Sequence, residues 1–182
     1  MVIQKKICML GAFAVGKTSL VRRFVKSLFD DKYLTTVGVK IDKRTVRLTD
    51  REVILMLWDL EGQDAYNKLR TSYIRGTSGY LLIADGTRRE TLGEALDLRT
   101  KVEAEIGRVP YLILLNKSDL TESWELDATD VQPLLDADVI VLQTSAKSGE
   151  GVEQAFLKLT EKMLEPKTGA HSGHGSNAHD QA

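Results

Sequence analysis

At 182 residues, with 42% hydrophobic and 28% charged residues, the chain has the size and composition of one folded domain, which excludes a disordered polypeptide. Its net charge of −1 predicts no nucleic-acid partner, and its single cysteine, Cys8, excludes an intrachain disulfide. No apolar run approaches the ~20 residues that span a bilayer. Val2 stands where myristoylation requires glycine, and no cysteine lies near the C-terminus, so we expect a cytoplasmic protein without a lipid anchor in its own chain.

Short β-branched or Leu-rich runs alternate along the chain with longer segments of helical period, which is typical of an α/β fold with a mostly parallel sheet. Strands are predicted at residues 3–10, 39–48, 52–58, 79–84, 111–115 and 139–142. Helices are predicted at residues 17–27, 89–106 and 152–164, and their apolar faces should pack on the sheet. A short turn joins the second and third strands, so we expect an antiparallel hairpin at one edge of a mixed sheet.

Two segments depart from this regular alternation. Pro133 weakens the prediction of a helix over residues 127–137 unless it occupies the first turn. From Pro166 onward the residues are small and polar, which predicts a folded domain over residues 1–165 and a disordered tail over 166–182. The three histidines, at positions 171, 174 and 179, all lie in this tail, where metal binding is the alternative to plain disorder.

The first chemical signal is Gly11-Ala-Phe-Ala-Val-Gly-Lys-Thr, between the first predicted strand and the first predicted helix. This context predicts a phosphate-binding P-loop, in which backbone N–H groups point inward and the helix dipole adds positive potential. Lys17 would place its ammonium on the outer phosphates, and Thr18 would offer a hydroxyl to Mg²⁺. The loop alone does not distinguish ATP from GTP. The predicted phosphate-binding residues are Phe13, Ala14, Val15, Gly16, Lys17, Thr18 and Ser19.

The base is predicted by Asn116-Lys117-Ser-Asp119, which follows the apolar strand at 111–115. Guanine presents N1–H and an exocyclic amine side by side, and the carboxylate of Asp119 can accept both hydrogen bonds. Adenine has neither donor there, so Asp119 would be left unpaired against it. In isolation this sequence is also a common surface turn.

Two further motifs follow predicted strands. Asp59 follows the apolar run 53–57, where it could hold the metal through water. In the same motif, Gly62 can bring a backbone N–H close to the γ-phosphate, and Gln63 is placed to orient the attacking water. With Lys17, these two residues are the predicted catalytic set. The segment Ser145-Ala146-Lys147 would complete the base site with a backbone N–H toward the guanine carbonyl.

These four motifs, in this order and spacing, resemble the small GTPases of the Ras superfamily, and most closely the Rab branch. The Rab likeness rests on residues 33–39, 57–59, 72–76 and 144–156, and the resemblance covers about residues 3–165. It implies the three-layer P-loop GTPase fold (G domain) with a six-stranded mixed, mostly parallel sheet, binding GDP or GTP with Mg²⁺. It also implies that Thr36 gives the metal a hydroxyl, and that Phe29 lies against the guanine ring.

The resemblance implies a monomeric switch whose partners are effector, exchange-factor and activating proteins. Two departures bear on hydrolysis, because Phe13 and Glu61 stand where the family usually has small residues. Both predict slow hydrolysis of GTP. Two other classes stay open on the sequence: an ATP-dependent P-loop enzyme, against which the base motif argues, and a nucleotide-loaded interaction module that hardly hydrolyses GTP.

Overall fold

The computed structural model describes residues 3–27, 38–60 and 71–166. Within these ranges the strands are β1 (Ile3–Leu10), β2 (Val39–Arg47), β3 (Glu52–Leu60), β4 (Gly79–Asp85), β5 (Tyr111–Asn116) and β6 (Val141–Gln143). The helices are α1 (Lys17–Lys26), α2 (Thr71–Ile74), α3 (Glu90–Ile106), α4 (Ala128–Asp136) and α5 (Val152–Leu164), with a short 3₁₀ turn at Thr121–Ser123.

The strands form one six-stranded sheet in the order β2-β3-β1-β4-β5-β6. Strands β2 and β3 pair antiparallel, whereas every other neighbouring pair is parallel. The predicted mixed sheet with an antiparallel hairpin at one edge is therefore confirmed. Because five of its strands run in the same direction, their carboxyl ends meet at one edge, which is where ligands bind in such sheets.

Helices cover both faces of the sheet because successive strand residues point to opposite sides. On one face, Ile7 and Met9 of β1 pack with α1 and α5, and the rings of Phe24 and Phe156 stack with centroids 3.9 Å apart. On the other face, strand residues such as Cys8 pack with apolar residues of α2, α3 and α4. The result is the expected three-layer α/β sandwich.

Helix α4 forms although Pro133 lies in its interior rather than in its first turn. A capping box starts the helix: the Asp127 carboxylate accepts from the Thr129 N–H at 2.7 Å, and the Asp130 carboxylate accepts from the Asp127 N–H at 2.8 Å. The ring nitrogen of Pro133 cannot donate a backbone hydrogen bond. Because Pro133 is exposed, this bond is missing at a surface that water can reach. The helix whose prediction Pro133 weakened is therefore present, although Pro133 does not occupy its first turn.

Strand β6 begins two residues later than the sequence predicts. After α4, Asp138 adopts a left-handed conformation with φ 56°, and the Val139 N–H bonds back to the Leu134 carbonyl at 3.0 Å. This turn uses the backbone donor that an earlier start of the strand would need. The segment 145–147 still follows the carboxyl end of β6.

The described part of the chain ends at Pro166, two residues after α5. The domain boundary at residue 165 and the character of residues 167–182 stay predictions, because residues 167–182 lie outside the described ranges. Across residues 3–27, 38–60 and 71–166, no helix combines the length and apolarity needed to cross a membrane.

Candidate functional site

The loop 11–16 connects β1 to α1 at the carboxyl edge of the sheet. Its path requires backbone conformations that favour glycine, with φ 98° at Gly16 and φ 150° at Gly11. A Cβ on Gly16 would lie 2.3 Å from the Asn116 side-chain nitrogen, and one on Gly11 would lie 2.2 Å from the Ile83 carbonyl oxygen. Both glycines therefore let the loop approach its neighbours more closely than any side chain permits.

Lys17 lies at the start of α1 with only 6% of its surface exposed. Its ammonium donates to the carbonyl oxygens of Gly11 and Ala12, both at 2.8 Å, so it folds back over the loop. Burial lowers the pKa of Lys17 to about 8; the charge of Asp59 opposes that shift, and the charge of Arg88 adds to it. The loop thus holds a partly desolvated cation whose charge an anion would stabilise.

Thr18 and Asp59 bring two oxygen ligands together beside Lys17. The Thr18 hydroxyl donates to Asp59 Oδ2 at 2.5 Å, and Asp59 is 1% exposed near the end of β3. A hydroxyl and a carboxylate suit Mg²⁺, which is commonly held by one or two carboxylates together with substrate phosphates. Among the residues that the structure describes, no cluster of three or more His, Cys, Asp or Glu side chains could hold a metal. Thr18 and Asp59 therefore supply oxygen donors of the kind that Mg²⁺ prefers.

The Asn116 side chain joins two of the predicted loops. Its amide nitrogen donates to the Val15 carbonyl at 2.9 Å, and its Oδ1 accepts from the Ala146 N–H at 3.2 Å and from the Thr144 hydroxyl at 3.3 Å. Asn116 is 1% exposed at the end of β5. One buried amide therefore fixes the distance between the P-loop and the segment 144–147.

Lys117 and Asp119 are each held by a specific partner. Lys117 takes a left-handed conformation, with φ 69°, and its ammonium donates to Asp85 Oδ2 at 2.5 Å. Asp119 Oδ1 accepts from the Ser145 hydroxyl at 2.6 Å, and that hydroxyl in turn accepts from the Ser148 N–H at 3.0 Å. The Asp119 carboxylate is thus oriented by the segment predicted to complete the base site.

Three residues that the sequence motifs did not include also hold these loops. On α1, Arg23 donates from Nε to the Ala146 carbonyl at 2.8 Å and from its terminal nitrogen to the Lys147 carbonyl. Asp85 lies at the end of β4 with its side chain fully buried, and Arg88 follows it in the turn before α3. A carboxylate that ends an otherwise apolar strand is a signal that could have identified Asp85.

The structure thus brings the P-loop, Asp59, the segment 116–119 and the segment 145–147 to one edge of the sheet. Ser19 lies in the first turn of α1, next to Thr18. The remaining predicted site residues lie outside the described ranges, namely Phe29, Thr36, Glu61, Gly62 and Gln63. Their roles stay predictions.

Two comparisons with known proteins bear on this arrangement. The model of the Ras family matches residues 6–165 of the chain. The Ras-related protein Rab-4 of Dictyostelium discoideum is 32% identical over 161 residues, which span 87% of this chain and 78% of the relative. The matched region contains all four motifs.

Proposed function

The chain belongs to the Ras family, whose members bind GTP and hydrolyse it as molecular switches, and we propose that the loops at the carboxyl edge of its sheet form the nucleotide site. The observation that carries this proposal is the position of Asn116, which links the Val15 carbonyl to the Ala146 N–H. Because this amide ties the P-loop to the segment 144–147, a ligand with phosphates at one end and a base at the other fits across both.

At the phosphate end, the backbone N–H groups of residues 13–18 surround the phosphates, and Lys17 supplies the balancing charge. The Thr18 and Thr36 hydroxyls would hold Mg²⁺, and Asp59 would act on it through water. When bound, the metal neutralises charge on the phosphate oxygens. The 2.5 Å contact between Thr18 and Asp59 supports this assignment, because the hydroxyl and the carboxylate already lie side by side.

At the base end, Asp119 accepts hydrogen bonds from N1–H and the exocyclic amine of guanine. The Lys117 stem and Phe29 lie on the two faces of the ring, and a backbone N–H of the segment 145–147 reaches the guanine carbonyl. The hydrogen bond from Ser145 to Asp119 supports this assignment, since it fixes the carboxylate before the base arrives.

In the GTP form, Thr36 and the Gly62 N–H contact the γ-phosphate, and the two segments that carry them present a surface to effector proteins. Hydrolysis removes these contacts and releases the effector. Exchange factors and activating proteins act on the same segments of a monomer.

Base choice can be tested by displacement of a fluorescent GDP analogue. We expect unlabelled GDP and GTP to displace it at equimolar competitor, and ATP to fail at a hundredfold excess, because adenine leaves Asp119 unpaired. Chelation of Mg²⁺ should speed its release, and Thr18→Ala should reduce that dependence on Mg²⁺. Displacement by ATP as readily as by GTP would mean that the site belongs to an ATP-dependent enzyme.

Hydrolysis should be slow, at or below the order of 10⁻⁴ s⁻¹ known for unassisted Ras, which is a relative. We expect the Phe13 ring to crowd the space that the attacking water and an incoming arginine need, and the Glu61 carboxylate to repel the negatively charged γ-phosphate. Single-turnover rates of the wild type, Phe13→Gly and Glu61→Ala test this, with Gln63→Leu as the variant expected to be slower. Two variants no faster than a slow wild type would contradict the assigned cause.

A further inference from the structure

Arg88 contacts the P-loop, although it belongs to none of the sequence motifs that identified the site. It lies in the turn between β4 and α3, and its guanidinium has two partners among the described residues. Nε donates to Asp85 Oδ2 at 3.0 Å, while a terminal nitrogen donates to the Phe13 carbonyl at 2.8 Å. One planar side chain therefore spans a fully buried carboxylate and the backbone of the phosphate loop.

The same carboxylate also holds the base motif. The Lys117 ammonium donates to the Asp85 oxygen that Arg88 contacts, and the Thr87 N–H and hydroxyl donate to the other oxygen, at 3.0 and 2.7 Å. Burial by itself would raise the pKa of Asp85, but the hydrogen bonds from Lys117, Thr87 and Arg88 together hold that pKa below its usual value. Asp85 is therefore an ionised anchor that Arg88 and Lys117 share.

We propose that Arg88 is a positioning residue for the bound nucleotide: it ties the Phe13 peptide to the Asp85–Lys117 pair, and so sets how slowly GDP leaves. This inference rests on the nucleotide site proposed above. The phosphates contact the loop that contains Phe13, and the base lies on Lys117. GDP therefore leaves only when both the loop and Lys117 separate from it. A fixed distance between them keeps both halves of the site in place together.

The chemistry of arginine suits this task in a way that lysine does not. The guanidinium presents N–H donors in a rigid plane, so it can meet a carboxylate and a carbonyl in different directions at once, whereas an ammonium is a compact point charge. Arg88 also adds positive potential at the phosphate end, because its charge acts on Lys17. The variant Arg88→Lys separates the two effects, since it keeps the charge and loses the bridge.

The test is the dissociation rate of a fluorescent GDP analogue from the full chain with Mg²⁺, chased with excess GDP. We expect release from Arg88→Gln to be roughly tenfold faster than from the wild type, the usual effect of losing a hydrogen bond to a charged group. Release from Arg88→Lys should also be several-fold faster. Wild-type release from Arg88→Lys would show that charge alone matters, and would overturn the proposal.

The matched control is Arg89→Gln, at the neighbouring arginine. Among the described residues, the Arg89 side chain contacts Asp127, Asp130 and the Glu125 carbonyl, and none of these lies in the P-loop. We expect its GDP dissociation rate to equal that of the wild type. If the arginines at this turn only stabilise the fold, Arg88→Gln and Arg89→Gln should change the melting temperature and leave the dissociation rate unchanged. That result would contradict the proposal.

A ³¹P NMR spectrum of bound GDP gives an independent readout. Because Arg88 holds the Phe13 peptide, the β-phosphate resonance should move in Arg88→Gln and stay in place in Arg89→Gln. An unmoved resonance together with an unchanged release rate would overturn the role of Arg88 while leaving the site intact. A wild-type protein that fails to bind the GDP analogue would instead contradict the proposed nucleotide site itself.

Discussion

Lys17 holds its charge where little water reaches it, and this makes nucleotide binding depend on pH. Burial lowers its pKa to about 8, and the charges of Asp59 and Arg88 raise and lower it in turn. Bound phosphates favour the ammonium, so they raise this pKa. Below about pH 8 the side chain is charged with and without nucleotide, whereas above it binding must take up a proton. GDP affinity therefore falls as pH rises above about 8.

We expect the Kd for GDP to stay level from pH 6.5 to about 8 and then to rise, by at most about tenfold per pH unit, because one proton is involved. Fluorescence titrations across this range measure it. Lys17→Arg is the control, since arginine stays charged; any slope that it retains comes from other groups, including the guanine ring. Parallel curves for the two proteins would exclude Lys17 as the titrating group.

Some residues at this edge of the sheet could be predicted from the sequence, and others could not. The grouping of Lys17, Asn116 and Asp119 at one edge of the sheet could be predicted, because each lies in a short motif that follows a predicted strand. Arg88 could not, because it contacts Phe13 across a separation of 75 residues. That contact exists only once β4 lies beside β1, and neither residue carries a local signal of it.

At the scale of elements, β1 and α5 have the predicted bounds, because their apolar patterns are long and end at clear turns. Helix α4 and strand β6 were less predictable. The capping box at Asp127 outweighs Pro133, and the left-handed turn at Asp138 delays β6. In both places a local hydrogen bond decided the structure, whereas the prediction rested on residue propensity.

The turn after β4 depends on a close contact between Gly86 and Trp124. A Cβ on Gly86 would lie 2.0 Å from the indole ring, while the Gly86 carbonyl accepts from the Glu125 N–H at 2.8 Å and so fixes the spacing of the two segments. We expect Gly86→Ala to lower the free energy of unfolding by about 1–3 kcal/mol, the usual cost of overpacking. Urea unfolding at saturating GDP measures this cost.

The control is the same substitution in a Trp124→Ala background. Removing the indole opens the space that the new methyl group needs, so Gly86→Ala should cost much less there than in the wild type. Equal costs in the two backgrounds would mean that the indole is not what excludes a side chain at Gly86.

At the scale of the whole molecule, α5 is the last element along the described chain that contributes residues to the core. The last buried residue of that helix is Met163, and Glu165 and Pro166 are exposed. We expect removal of residues 166–182 to leave the melting temperature and the GDP dissociation rate unchanged, because the small, polar residues beyond Pro166 offer little to bury. A chain that ends at Lys162 is the control and should melt lower, since it loses Met163. A clear loss on removing only 166–182 would mean that this segment packs on the domain.

Base specificity tests most directly the claim that this molecule is a guanine-nucleotide switch. Asp119→Asn replaces one acceptor by an amide donor, which matches the carbonyl that xanthine carries where guanine has its amine. The measurement is the affinity of wild type and variant for GDP and XDP. The wild type should prefer GDP and the variant should prefer XDP, each by roughly two orders of magnitude or more, as expected for a site built on hydrogen bonds. A variant that still binds GDP as the wild type does would contradict the assignment of Asp119 and the guanine site built on it.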